Sequence, residues 1–387
     1  RAKVTLIEAH EMGGDCLNYG CVPSKALIRT AALMRDTRLA QTLGLASAHA
    51  EIDFSEVMAR VQRVIAEVAP HDSVERYTGL GVEVLKGHAK ITSPWTVEIN
   101  GQTLTTRNIV IAAGAAPTIP DLPGLDQVVH VTSDTLWSLR GSPCELAQAM
   151  SELGIRVTLV GRNKRLLPKE DEAVGDAVRK ALTGSGVRVL TGAQAMTAER
   201  EGDHQRLWVQ HGGESEALSF DVLLLAVGRT ARTTGYGLET LGIGTTQQGT
   251  VEVNEYLQTR YPNIYACGDV AGPYQFTHVA AHQAWYAAVN GLFGALKRFK
   301  ADYRVIPAVT FTHPEVARVG LNQDEARRQG IAFEVSRFEL EELDRAITAD
   351  EREGFVEVLT VPGKDTILGV TIVASHAGEM LAEFTLA

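Results

Sequence analysis

The sequence predicts an α/β chain of two dinucleotide-binding units followed by a smaller α+β unit. Three observations carry this. The chain opens on a short apolar strand ending in an acid, Val4-Thr5-Leu6-Ile7-Glu8. The second strand of a nucleotide-binding βαβ unit looks like this, its acid accepting hydrogen bonds from a ribose. Further on, buried strands run into glycine turns at Ile109-Val110-Ile111-Ala112-Ala113-Gly114 and at Ala266-Cys267-Gly268-Asp269-Val270. From Val305 onward, short alternating strands and short helices replace the longer βα pattern, which marks a separate α+β unit. A length of 387 residues also exceeds one ordinary core and calls for two or three domains.

Each element follows in order. Helices are expected over 26–43 and 54–77, and strands over 82–85, 95–99 and 108–112. Pro117, Pro120, Pro123 and Gly124 then mark a linker. The next unit gives a helix over 145–153 and strands over 157–160, 187–190, 206–210 and 222–226. Between Leu139 and Glu145 stand only Arg140-Gly141-Ser142-Pro143-Cys144. A strand of about five residues plus a glycine fingerprint does not fit there, so a gap near 140–145 is expected. By the same logic the chain should open about 30 residues into its first βαβ domain. A strand within 257–270 and a helix over 277–296 follow. The last unit has strands at 304–311, 333–339, 354–360 and 367–373, with helices at 323–329 and 377–386, and its end is expected to be incomplete. The expected domains are 1–134 with 260–304, then 135–259, then 305–387.

Composition narrows the classes. No run of 18 apolar residues is present to span a membrane, and no secretory signal opens the sequence. A formal charge of −10 argues against nucleic acid as the main partner. Four cysteines are too few for a disulfide scaffold and suit a reducing cytoplasm, where a close pair points to catalysis.

Two of those cysteines sit in Gly13-Gly14-Asp15-Cys16-Leu17-Asn18-Tyr19-Gly20-Cys21-Val22-Pro23-Ser24-Lys25. Along an ideal helix Cys16 and Cys21 would lie about 7.5 Å apart on the axis, beyond the roughly 4.4–6.8 Å a disulfide spans between Cα atoms. They can pair only in a distorted first turn, with Gly20 and Pro23 giving freedom and a break. A helix start lowers thiolate pKa and makes such a bond reducible; the alternative is two buried structural thiols.

The cysteine motif, the Ala112-Ala113-Gly114 turn and the Gly268-Asp269 motif, in this order, resemble the FAD-dependent pyridine nucleotide–disulfide oxidoreductases. These include dihydrolipoamide dehydrogenase, glutathione reductase and mercuric reductase. The resemblance covers essentially the whole chain, and residues 22–29, VPSKALIR, look closest to the mercuric reductase and dihydrolipoamide dehydrogenase branches.

The resemblance implies two Rossmann-like units, for FAD and NAD(P), and a C-terminal dimerisation unit. It implies that Cys16 and Cys21 form a redox disulfide, with Cys21 facing the flavin and Cys16 attacking the acceptor. Lys25, paired with Glu145, would lie beside the flavin. Glu8 would hold the adenosine ribose; Gly14, Asp15, Ala89, Ala113 and Gly114 would line the FAD. Asp269 would contact its ribityl and pyrophosphate region, and Thr277 and His278 would stand near the flavin. Asp15 replaces the family's commoner threonine. Gly228 and Arg229 match the loop that backs the nicotinamide.

The strand over 157–160 ends without an acid and is followed by Arg162, Lys164 and Arg165. A 2′-phosphate favours arginine over an acid, so NADPH is expected, with NADH also possible. No metal site is expected. Cys144 and Cys267 read as packed apolar residues, and His313 is not assigned as the base. The implied enzyme is a cytoplasmic homodimer that passes electrons from NAD(P)H through FAD to the cysteine pair. The acceptor would be a disulfide, a dithiol-linked group or a metal ion such as Hg(II). The alternatives are a dihydrolipoamide dehydrogenase acting with NAD and a degenerate relative with a binding role.

Overall fold

The computed structural model describes residues 2–135 and 143–387. The first unit runs β1 (Thr5–Glu8), α1 (Gly14–Asn18), α2 (Cys21–Leu39), α3 (Phe54–Val68), α4 (Val74–Gly79), β2 (Glu83–Lys86), β3 (Lys90–Ser93), β4 (Thr96–Ile99), β5 (Gln102–Thr105), β6 (Ile109–Ile111) and β7 (Ala115–Pro117). Helix α3 starts where Asp53 accepts from the Ser55 and Glu56 amides, satisfying two of the orphan donors of the first turn. Strands β1 and β2 pair in parallel, and β3, β4 and β5 form an antiparallel meander.

The middle unit contains β8 (His130–Thr132), α5 (Pro143–Glu152), β9 (Thr158–Gly161), α6 (Glu172–Gly184), β10 (Arg188–Thr191), the meander β11 (Gln194–Glu201), β12 (His204–His211) and β13 (Glu214–Phe220), and β14 (Leu223–Leu225). The chain then returns to the first unit through β15 (Arg229–Ala231), β16 (Ile264–Ala266) and α7 (Thr277–Phe293). Strand β15 pairs with β7, and β16 pairs in parallel with β6.

These pairings set the boundaries differently from the sequence reading. Strand β8 pairs with β14 of the middle unit, so residues 130–132 belong there and not to the first unit. Leu238, Leu241, Ile243 and Val251 share a core with Ile91, Ile109, Ile111 and Ile264, so residues 229–259 belong to the first unit. A strand's sheet partner is decided by long-range register, which periodicity alone does not reveal. The expected gap near 140–145 falls in part on residues 136–142, outside the described residues.

The C-terminal unit is a five-stranded antiparallel sheet in the order β17 (Ala308–Thr310), β18 (Glu315–Gly320), β21 (Ile367–Ala374), β20 (Phe355–Thr360), β19 (Glu334–Glu339). It carries α8 (Gln323–Arg328), α9 (Asp344–Thr348) and α10 (Ala377–Leu386). An Asn322–Glu325 capping box opens α8. The middle unit is clamped to this unit by an ion pair from Arg318 to Glu170 (2.9 Å), with Arg318 held from within its own unit by Glu325 (2.6 Å).

One packing contact positions the site. Helix α5 of the middle unit lays Leu146, Ala149 and Leu153 against Ala26, Leu27 and Ala31 of α2 and Val57 and Val61 of α3. Each fully buried leucine contributes roughly 1.5–3 kcal/mol, so α5 is held firmly on the helix that begins at Cys21.

Candidate active site

The two cysteines do not share one distorted turn. Cys16 lies in the short helix α1, the chain breaks at Tyr19 and Gly20, and Cys21 is the first residue of α2. Gly20 caps α2 at φ −131° and ψ −105°. Pro23 is no break; it sits inside the first turn of α2, where a missing amide proton costs nothing. The two sulfurs are free thiols, each partly exposed.

Their surroundings differentiate them. The Cys16 thiol, as hydrogen-bond donor, lowers the Cys21 pKa to about 6; the Thr277 hydroxyl and the Lys25 charge add to this, against burial. Cys16 is pushed well up, first by the same contact and then by burial. Cys21 Sγ lies 3.4 Å from Thr277 Oγ1. Thr277 is the first residue of the 17-residue helix α7, so the Cys21 sulfur sits beside two helix N-termini, which favour negative charge.

Lys25 lies one turn beyond Cys21 on α2. Its Nζ is 3.2 Å from Glu145 Oε2 and 4.3 Å from the centroid of the Phe311 ring. Glu145 is only 4% exposed, and its second oxygen accepts from the Phe311 amide at 2.8 Å. Three residues along the same face of α5, Gln148 clasps His313: its Oε1 accepts from the His313 amide (2.7 Å) and its Nε2 donates to the His313 carbonyl (2.8 Å). The first turns of α5 therefore tie Lys25 to the C-terminal unit. Sequence reading missed Gln148, for which the i, i+3 spacing from Glu145 was the available signal, and it placed Phe311 in an interface signature rather than against Lys25. His313 is held near pKa 4, chiefly by burial.

The residues expected to hold FAD converge at the carboxyl ends of parallel strands, where ligands of open α/β sheets bind. Glu8 ends β1, and its carbonyl accepts from the Gly87 amide at 2.9 Å, placing it beside the turn that leads to Ala89. The Cys267 amide bonds the Ile111 carbonyl at 3.0 Å, which sets Ala112, Ala113 and Gly114 alongside Gly268 and Asp269. Gly14 and Gly114 take positive φ of 56° and 68°, and both face open space where a side chain would stand. Such a backbone admits an extended ligand at close range, and a buried Asp269 lies at one end of the crevice. The residues present fit FAD. His278 stacks on Phe276 and places Nε2 2.8 Å from the Pro307 carbonyl.

Two of the expected cofactor residues hold each other: Asp15 and Arg229 form an ion pair. Arg229 also donates to the Ala115 carbonyl (2.8 Å) and the Ser133 hydroxyl (3.3 Å). Gly228, at φ 115°, is the glycine of the linker before β15. Among the cations after β9, Arg165 is engaged with Asp324 at 2.9 Å, while Arg162 and Lys164 are exposed at the carboxyl end of the strand.

Comparison with known proteins decides the family. The pyridine nucleotide-disulphide oxidoreductase model matches residues 1–284, and that family's dimerisation domain matches residues 306–387. The chain belongs to the pyridine nucleotide-disulphide oxidoreductases. Members of this family are FAD-dependent and use NAD(P)H. A mercuric reductase of Bacillus cereus is 33% identical over 100% of this chain and 63% of its own length, so the chain spans under two thirds of that relative. A dihydrolipoyl dehydrogenase of Thermus scotoductus is 35% identical over 100% of this chain and 85% of its own.

Among solved structures, LpdA of Mycobacterium tuberculosis superposes with a TM-score of 0.86 at 25% identity, covering 99% of this chain and 86% of that one. The HOCl-induced flavoprotein disulfide reductase RclA of Escherichia coli shares the fold, with a TM-score of 0.84 at 23% identity over 100% of this chain and 87% of that one. No helix among the described residues is long and apolar enough to cross a membrane, and no group of three or more His, Cys, Asp or Glu among them is arranged to hold a metal.

Proposed function

We propose that this chain is an NADPH-preferring flavoprotein reductase that delivers electrons through Cys16 and Cys21 to a small disulfide or a soft metal ion. The observation that carries the reading is the Cys21 sulfur, lowered to about 6 beside Cys16 and 3.4 Å from Thr277. Glu8, Gly14, Ala89, Ala113, Gly114 and Asp269 hold FAD, with Thr277 and His278 near its reactive ring. FAD supplies the two-electron relay between a nicotinamide hydride and the cysteine disulfide. Lys25, oriented by Glu145 and Phe311, keeps a positive charge near Cys21 and favours its thiolate. Arg162 and Lys164 meet a 2′-phosphate.

The chain's own chemistry balances as follows. Two electrons and a proton convert the Cys16–Cys21 disulfide to a Cys21 thiolate and a Cys16 thiol. Once Cys16 loses its proton, its sulfur attacks an acceptor disulfide, forming a mixed disulfide and releasing one acceptor thiolate. The Cys21 thiolate then attacks the Cys16 sulfur, releasing the second acceptor thiolate and re-forming the internal disulfide. A soft divalent metal ion would be bound by the two thiolates as ligands and would take two electrons from them, leaving as the neutral metal while the two sulfurs re-form the internal disulfide. The working unit is a cytoplasmic homodimer assembled through the C-terminal sheet.

A second reading, a dihydrolipoyl dehydrogenase acting with NAD, is favoured by the 35% identity to the Thermus enzyme. One experiment separates them: NADPH and NADH oxidation measured side by side with lipoamide, glutathione disulfide, Hg(II) and a quinone. Turnover with NADPH and Hg(II) or glutathione disulfide supports the first reading. Turnover confined to NADH and lipoamide supports the second, and a purified protein that binds no flavin defeats both.

A further inference from the structure

The Asp15–Arg229 pair lies where the two chain crossovers meet the redox turn. Asp15 precedes Cys16 in α1. Arg229 opens β15, separated by three residues from the end of β14 in the middle unit. The turn that holds Ser133 and Asp134 follows β8, which pairs with β14 in that same unit. Arg229 Nη1 reaches Ser133 Oγ at 3.3 Å and Asp134 Oδ1 at 3.9 Å, while Nη2 bonds Asp15 and the Ala115 carbonyl of β7. The guanidinium thus joins four segments, from both strands through which the chain passes between units. Its two ends point to opposite jobs: one grips the middle unit's exit, the other grips the helix carrying Cys16. Both carboxylate and guanidinium are largely buried, at 17% and 16% exposure, and a planar fork with five fixed donors is needed to bridge them.

We propose that Asp15 and Arg229 are positioning residues that couple nucleotide occupancy of the middle unit to the reactivity of Cys16. The inference rests on the functional reading above for the site the nucleotide takes. A middle unit that shifts on binding moves Ser133 and β14, and the latch carries that shift to α1. The companion contact, Glu145 with Lys25, reaches only the Cys21 end. The two sulfurs thereby report on the middle unit through separate links.

The test uses the FAD-loaded protein, reduced with dithiothreitol and desalted without oxygen. Iodoacetamide alkylation of Cys16 is followed by mass spectrometry, with and without saturating 2′-phospho-ADP-ribose or ADP-ribose. Neither probe carries a nicotinamide, so neither drains the dithiol. In the wild type the better-binding probe changes the Cys16 rate by about fivefold, within the usual range of coupling between sites. Asp15→Thr, which puts the family's commoner residue at this position, and Arg229→Lys each reduce that change to less than about twofold, while FAD content stays at the wild-type level.

A second, equilibrium readout is probe affinity for disulfide against dithiol protein: coupling between nucleotide and cysteine redox state makes the two affinities differ in the wild type, by a factor independent of the alkylation rate ratio, and that difference disappears in Asp15→Thr. A latch that is only structural lowers FAD content or melting temperature and leaves the linkage untouched, which overturns the proposal. A probe that binds without altering Cys16 in the wild type also overturns it, leaving the functional reading intact. Failure of both probes to bind defeats the functional reading itself.

Discussion

Cys21 and Cys267 are the same residue type at the end of an element, each next to a glycine, and their chemistry is opposite. Cys21 begins α2, is partly exposed, and is lowered to about 6 by Cys16, Thr277 and Lys25. Cys267 ends the strand segment that leads into Gly268, is 5% exposed, and is raised to about 11 by burial alone. A thiol becomes a nucleophile through donors and charge at hand; without them, burial makes it an inert apolar filler.

The largest effect that separates the two comes from removing them. Cys16→Ser or Cys21→Ser abolishes disulfide or metal reduction, by on the order of 10³-fold or more. Cys267→Ala leaves turnover within about twofold and costs about 1 kcal/mol in denaturant unfolding. A Cys267→Ala enzyme as inactive as Cys21→Ser would erase the distinction.

Next in size is the position of the Cys21 thiolate. Thiolate absorbance against pH should show a midpoint near 6 in the reduced wild type. Cys16→Ala raises it most, because the Cys16 contact is the first cause of the lowering, and Lys25→Met raises it by less. An unchanged midpoint in Cys16→Ala contradicts the pairing.

A third effect concerns the nucleotide. Arg162→Ala combined with Lys164→Ala raises KM for NADPH about 100-fold, the loss of two charge-assisted contacts of about tenfold each, and leaves KM for NADH unchanged. Equal loss for both cofactors would remove these cations from 2′-phosphate recognition.

The smallest effect is on stability. Burial depresses the His313 pKa to about 4 from an ordinary 6.5. Between those values the unfolded chain binds more protons, so stability rises with pH across that window and falls as pH drops through it. His313→Gln should flatten melting temperature against pH between 6.5 and 4, and a slope that persists would assign the dependence to other groups.

The same contrast explains how much was legible in the sequence. Local signals worked where chemistry and spacing coincide. The cysteine motif and the strand ending in Glu8 were readable from residue types at fixed offsets, whereas the Lys25–Glu145 pair, 120 positions apart, came only through the family resemblance. Long-range pairing was not. Nothing in Asp15 or Arg229 alone announces that they meet across 214 positions, and each was first assigned to a cofactor. The meanders β3–β5 and β11–β13 were read as single strands, because their polar edge strands lack an alternating apolar face. The interior strand β18 was missed behind the Thr312-His313-Pro314 turn. Domain edges moved because β8 and β15 are three-residue strands whose partners are set by the sheet.

The central claim is that reducing equivalents from NAD(P)H arrive at Cys16 and Cys21 and at no other cysteine. The direct measurement is thiol mapping of the FAD-loaded protein, by differential alkylation and mass spectrometry, before and after one equivalent of NADPH without oxygen. The account predicts two new thiols per chain, at Cys16 and Cys21, with Cys144 and Cys267 in the same state throughout. No new thiols, or new thiols at Cys144 or Cys267, would contradict it.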